Sequence, residues 1–238
     1  MALIVKPHTF TAGTSKTGEA AQVNANYDAI YGEFNGNIED ANVKAGAAIA
    51  QSKINNLVTD LAALGIGWKL IQTQTASNSA AISFTSGLTS TYRHYMVALT
   101  SVYPATDDVS LVMRFSQSAS FLSGAGNYGW AYILNKDDAS TPSGQASASA
   151  TFMQLANNVS NIATRSLTGH VRIYNPAGAA TFKKAQFSNT HIDPLVSLLN
   201  ISGSAVLKLN TDPIDGVQFL FSSGNITSGV FSLYGLIN

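Results

Sequence analysis

Residues 43–64 carry a heptad seam, and nothing after residue 67 repeats with a helical period. Val43, Ala47, Ala50, Ile54, Leu57, Leu61 and Leu64 follow one another at spacings of 4, 3, 4, 3, 4 and 3. That is an a/d stripe of about three heptads, the pattern by which helices from separate chains pack together. Gly65 and Gly67 then close the helix. The seam divides the chain into residues 1–42, a short trimerising helix over 43–66, and a long region over 67–238. The same stripe also suits a helix buried within one chain. About three heptads are marginal in isolation, so the region that follows must share the work of assembly.

Ahead of the seam, residues 1–17 have no helical period and contain Pro7, Phe10 and Gly13, which points to an extended arm. From Glu19 to Ile38 the apolar residues Val23, Tyr27, Ile30, Phe34 and Ile38 fall on one face of an amphipathic helix. Gly32, Asn35 and Gly36 weaken its second half. A helix of this kind needs a partner surface.

Charge is scarce and uneven. Charged residues make up 11% of the chain, against roughly 25% in an average soluble domain. The formal net charge is zero, so no global field draws the protein to nucleic acid. All three glutamates (Glu19, Glu33, Glu39) precede residue 40, and the later region uses only aspartate, mostly at turns. A surface so short of charge is expected to be covered in part by sister subunits. There is no cysteine, which removes disulfides and thiolate metal sites from consideration. The Ala2–Val5 run is too short for a signal-peptide core and is followed, not preceded, by Lys6. No stretch approaches the ~18 apolar residues of a membrane span. Synthesis in a reducing cytoplasm and release by lysis are the expectation, without membrane insertion.

Beyond Trp68, apolar and β-branched runs alternate with turn residues. Strands are expected over residues 68–75, 80–85, 92–102, 109–116, 128–134, 151–155, 168–174, 181–188, 204–209, 216–221 and 229–237. The region is therefore expected to be mainly β, a jelly-roll-like β-sandwich. Residues 117–127 and 135–150 are expected as exposed loops; the second is low in complexity.

Signals for chemistry are few. No Gly-x-Ser-x-Gly elbow, His-Glu-x-x-His pair or phosphate-binding Gly-Lys-Ser/Thr loop occurs, so no catalytic residue, metal ligand or cofactor is assigned. Asp107-Asp108 and Asp137-Asp138 are acidic pairs of a type that can serve glycoside cleavage or calcium. Both sit in turns, where aspartate bonds its own backbone. On the strand Tyr128-Gly129-Trp130-Ala131-Tyr132, alternation gathers the three aromatics on one face. Tyr128, Trp130 and Tyr132 then either pack into the sandwich or the trimer interface, or form a stacking platform for a sugar, the candidate receptor contact.

The run PHTFTAGTSKTGEAAQVNANYDAIYGEFNGNIEDANVKAGAAIAQSKI over residues 7–54 resembles a module at the start of tailed-bacteriophage virion appendage proteins. It covers about a fifth of the chain. The closing GVFSLYGLIN resembles the last strand of phage fibre heads. The resemblance implies a homotrimer whose N-terminal part anchors to other virion proteins, placing Pro7, Phe10, Val23, Tyr27, Ile30 and Phe34 in the anchor. It implies a β head that projects outward to meet a host cell-surface glycan or protein. A capsid fibre or decoration protein with no specific receptor is the alternative.

Overall fold

In the computed structural model, residues 19–34 and 67–236 are described. The chain divides into two units, Met1–Leu57 and Val58–Asn238. Among the described residues of the first unit a helix, α1, runs over Glu19–Phe34, as the four-three-four spacing of its apolar residues predicts. Val23, Tyr27 and Ile30 are exposed along it. The arm residues Pro7 and Phe10 and the whole seam from Val43 to Leu64 lie outside the described residues.

The described residues of the second unit form thirteen strands. They are β1 (Trp68–Ser79), β2 (Ile82–Phe84), β3 (His94–Pro104), β4 (Val109–Gln117) and β5 (Ser120–Phe121). Then come β6 (Tyr128–Lys136), β7 (Ser143–Ala150), β8 (Met153–Val159) and β9 (Leu167–Tyr174). The last are β10 (Lys184–Ile192), β11 (Leu198–Leu207), β12 (Gly216–Phe221) and β13 (Ile226–Leu236). All pairings are antiparallel; eight strands form one sheet in the order β1-β13-β3-β9-β10-β11-β6-β7. A smaller sheet has the order β2-β12-β4-β5, and β8 also pairs with β4. Among the described residues no helix is long and apolar enough to cross a membrane.

Strict alternation drives the layering. On β10, Ala185, Phe187, Asn189 and His191 are buried, while Lys184, Gln186 and Thr190 are exposed. The inward residues of both sheets join one core, with Phe84, Phe115, Phe219 and Phe231 among its members. An antiparallel sheet with one face in the core and one in solvent gives this two-period signature.

Two of the expected loops contain strands. Residues 143–150 form β7, an edge strand paired with β6 on one side only. Its sequence, Ser-Gly-Gln-Ala-Ser-Ala-Ser-Ala, has no β-branched or aromatic residue, so it carries no propensity signal; its partner β6 holds it in place. Residues 117–127 include the two-residue β5. β11 begins at Leu198, six residues before the expected start, because Leu199 and Ile201 continue the buried row.

Candidate functional site

The three aromatics of β6 do share a face, and that face is the inner one. Tyr128 and Tyr132 are buried and Trp130 is half-buried. The Tyr128 hydroxyl accepts the Phe115 backbone N–H at 2.9 Å and donates to the Leu122 carbonyl at 3.1 Å. Burial pushes the Tyr128 phenol up to about 12. Tyr132 stacks on Trp130 with ring centroids 5.5 Å apart and meets the edge of Phe187 at 6.3 Å. Its hydroxyl accepts from the Gln154 amide at 2.9 Å. The expected stacking platform is therefore corrected for Tyr128 and Tyr132, which serve the core. Of the two readings open from sequence, core packing prevails, because the small residues Gly129 and Ala131 take the solvent side.

Those small residues leave room for something else. On the outer face of the large sheet, pairing sets Tyr174, Lys184, Val206 and Gly129 side by side across four strands. The next row is Arg172, Gln186, Ser204 and Ala131. A groove of about 720 Å³ opens over these residues, bordered by Tyr174, Lys184 and Gln186 and, across the floor, by Ser147 and Lys208. Trp130 is the one aromatic of the β6 trio that borders it. The Tyr174 hydroxyl donates to Gln186 Oε1, which fixes the ring as a wall. Lys208 Nζ donates to the Ala148 carbonyl at 2.8 Å. Its side chain passes over Gly129, where an added Cβ would lie 2.6 Å from Lys208 Cε. A smaller cavity of about 400 Å³ with His170, Arg172, Ser188 and Ser202 shares Gln186 and Ser204 with the groove.

Charge on this face is one-sided. Residues 67–238 contain nine Lys or Arg and seven Asp, a formal charge of +2, and no Glu. Every Asp lies at a turn, a bend or in the coil between strands. Arg172 and Lys184 stand on the outer face of the strands, and Lys208 directly follows β11. The ion pairs among the described residues are those of Lys136 with Asp138 at 3.1 Å and Asp193 at 3.4 Å, so none of Arg172, Lys184 and Lys208 has a carboxylate partner among the described residues. His170, on the same face, is held below its ordinary value by burial and then by Arg172.

A second feature sits at one end of the same sheet. The β10–β11 turn (residues 193–197) presents Leu195 at 79% and Val196 at 64% exposure. Val196 has φ +71°, the left-handed region that a β-branched residue rarely enters. Polar groups brace the turn from beneath. Buried Asp193 accepts the Ser197 N–H at 2.9 Å, and Arg165 Nη1 donates to the Pro194 carbonyl at 2.8 Å. Ser197 Oγ donates to Asp138 at 2.7 Å. Hydrogen bonds from Ser197 and Lys136 hold the Asp138 carboxyl below the usual carboxylate range.

The acidic pairs weighed from sequence are used in the same structural way. Asp107 accepts the Asn161 N–H at 2.9 Å and Asp108 the Asn158 amide at 2.8 Å. Asp137 accepts the Leu198 N–H at 3.0 Å. Among the described residues no group of three or more His, Asp or Glu is arranged to hold a metal ion. His191 is buried, its Nε2 is 2.9 Å from the Asn157 carbonyl, and burial holds it below its ordinary value.

Sequence reasoning missed the groove and the turn. The β10 alternation already carried Lys184 and Gln186 on its outward positions, but the cross-strand neighbours Tyr174, Ser204 and Ala131 are distant in sequence. In comparisons with known proteins the chain matches no family model, no curated protein and no solved structure.

Proposed function

We propose that the chain is a virion appendage protein of the tailed-bacteriophage kind. It is a homotrimeric fibre held to the particle by its N-terminal segment, and its β head works in adsorption to the host surface. One observation carries the reading. Pairing from β1 to β10 brings Trp68, where the chain enters the head, level with Lys184. The β10–β11 turn follows Ile192, eight residues further along β10, or about 27 Å of strand. A head tethered at Trp68 thus turns its braced apolar tip away from the tether.

Strand order supports the finer reading of a jelly roll. β1-β13-β3-β9 in the large sheet and β2-β12-β4-β8 in the small one match the two four-stranded sheets of that fold. The hairpins β10–β11 and β6–β7 extend the first sheet beyond it. The exposed Val23 and Ile30 on α1 support the N-terminal segment as one that docks on another surface. The seam from Val43 to Leu64 supports the trimer.

Purified full chain, added to host cells before the phage, should lower adsorption in proportion to its occupancy. A chain lacking residues 1–40 should still compete but no longer enter particles. Unimpeded adsorption at saturating protein, with label confined to the capsid of imaged virions, would overturn adsorption in favour of decoration.

A further inference from the structure

The groove on the outer face of the large sheet is walled by Tyr174, Lys184, Gln186, Ser204 and Ala131, which stand on the outward positions of their strands, while Trp130, Ala185 and Ala205 beneath belong to the core side. It spans strands β9, β10, β11 and β6, which lie side by side. Tyr174 comes from the last strand of the four-strand set, and the rest of the groove comes from the extension. Its volume of about 720 Å³ falls within the ~300–1,000 Å³ of ordinary small-ligand sites.

We propose that this groove binds a saccharide residue carrying a carboxylate, with the sugar ring laid against Tyr174 over Ala131 and Ser204 and the acid group met by Lys184 and Lys208. Three properties converge on that chemistry. The floor is built from small and apolar residues beside an aromatic wall, which suits the C–H face of a pyranose. Hydroxyls and an amide rim it. Gln186 spends its carbonyl oxygen on Tyr174, which leaves its NH2 group to donate to a sugar hydroxyl, and Ser204 stands beside it. The cations supply the third property. Lys184 and Lys208 border one groove with no carboxylate partner among the described residues. Like charges gathered on a face without counter-charge repel, and a bound carboxylate relieves that repulsion while forming charge-assisted hydrogen bonds. Three cations on one face are too few for a polynucleotide, whose binding needs a run of phosphate contacts. The groove lies level with Trp68, about 27 Å along β10 from the β10–β11 turn, so it is a second host contact on the flank of the domain, separate from the tip; it rests on the adsorption reading for its biological setting.

The experiment titrates the full chain with two acidic probes, tetragalacturonic acid and the α2,8-linked trimer of N-acetylneuraminic acid. Each is paired with its carboxyl-reduced form, in which the acid has become a primary alcohol. At least one acidic probe should bind about tenfold or more tightly than its reduced form. Lys184→Ala should weaken that binding about tenfold, and Ala131→Trp, which fills the groove from an exposed position, should abolish it. Both variants should keep the wild-type oligomeric state and melting temperature. Equal binding of acidic and reduced forms, no binding of either acid, or full binding by Ala131→Trp overturns the site. A change of oligomeric state in Ala131→Trp also overturns it, because a second copy then occupies the groove. Adsorption competition by the same preparation reads the broader function separately. A chain that blocks adsorption yet ignores both acids refutes the acid-sugar site alone.

Discussion

Replacing Tyr128 with Phe removes one oxygen atom from the centre of the head, and its cost can be worked from the ladder it repairs. β4 pairs with β8 up to Met113 and with β5 from Ser116. Phe115 falls in the gap, and its backbone N–H has the Tyr128 hydroxyl as its partner at 2.9 Å. Deleting the hydroxyl leaves that donor buried and unpaired and takes one donor from the part-buried Leu122 carbonyl. An unsatisfied buried group costs about 1–3 kcal/mol, so a loss near 2 kcal/mol is expected. That corresponds to roughly 4–8 °C in melting temperature for a domain of this size. Urea unfolding should show the loss as a lower midpoint with an unchanged slope. Tyr174→Phe, which alters a solvent-facing hydroxyl, should fall within about 0.5 kcal/mol of wild type. The same buried phenol sets an alkaline limit. Its pKa is near 10 unfolded and about 12 folded. Its contribution is therefore complete below pH 10 and is lost as pH rises through 12, to a total of about 2–3 kcal/mol. If Tyr128→Phe is as stable as Tyr174→Phe, the hydroxyl does not close the ladder and the reasoning fails.

Lys183 is buried and donates to the carbonyls of Thr181 at 2.9 Å and Thr211 at 2.6 Å. Lys183→Met should cost about 2–3 kcal/mol in urea unfolding, because two carbonyls lose a charged donor. Asp193→Ala strips the β10–β11 turn of its acceptor for Ser197 and should cost about 2 kcal/mol while making residues 194–197 the first site of proteolytic cleavage. Asp193→Asn, which keeps one acceptor oxygen, should lose less and stay resistant to cleavage.

The parts of the fold that could be read in the sequence are those where one residue states its own environment. The period of two in Val109–Ser116 and Gly216–Phe221 announced strands because each alternate residue meets the core regardless of its partner. The α1 helix was legible in a period near 3.6, although the residues that carry the period, Val23, Tyr27 and Ile30, are exposed. β7 was not, because Ser and Ala have no preference strong enough to declare a strand, and its order comes from the neighbouring β6. The candidate site failed on a sign. Alternation says that Tyr128, Trp130 and Tyr132 share a face but not which face is buried, and that choice depends on which strands cover β6. The groove is harder still, since Tyr174, Lys184, Ser204 and Ala131 meet only through three separate pairings. Net charge hid it too: the zero total sums a deficit of two before Gly67 and an excess of two after it, and the excess is concentrated where strands carry Lys and Arg while turns carry Asp.

Val196 gives the sharpest separation of stability from function. At φ +71° a valine meets its own backbone, at a cost of about 1–2 kcal/mol. Its side chain is largely exposed, so little burial offsets that cost. The conformation persists because its surroundings impose it. The Val196 N–H donates to the Asp193 carbonyl at 3.0 Å, the Asp193 N–H donates to the Ser197 carbonyl at 2.9 Å, and Arg165 holds Pro194. Glycine takes this geometry without steric penalty and costs about 0.5–1 kcal/mol in chain entropy. Val196→Gly should therefore stabilise the head by about 0.5–1 kcal/mol. Folding gives no reason for a valine at this position, which leaves what the side chain meets outside the molecule. In the adsorption competition, Val196→Gly and Leu195→Ser should both compete less well than wild type, the first while melting higher and the second while melting unchanged. A Val196→Gly head that melts lower would show that packing holds the valine, and one that competes as well as wild type would show that the tip does not touch the host.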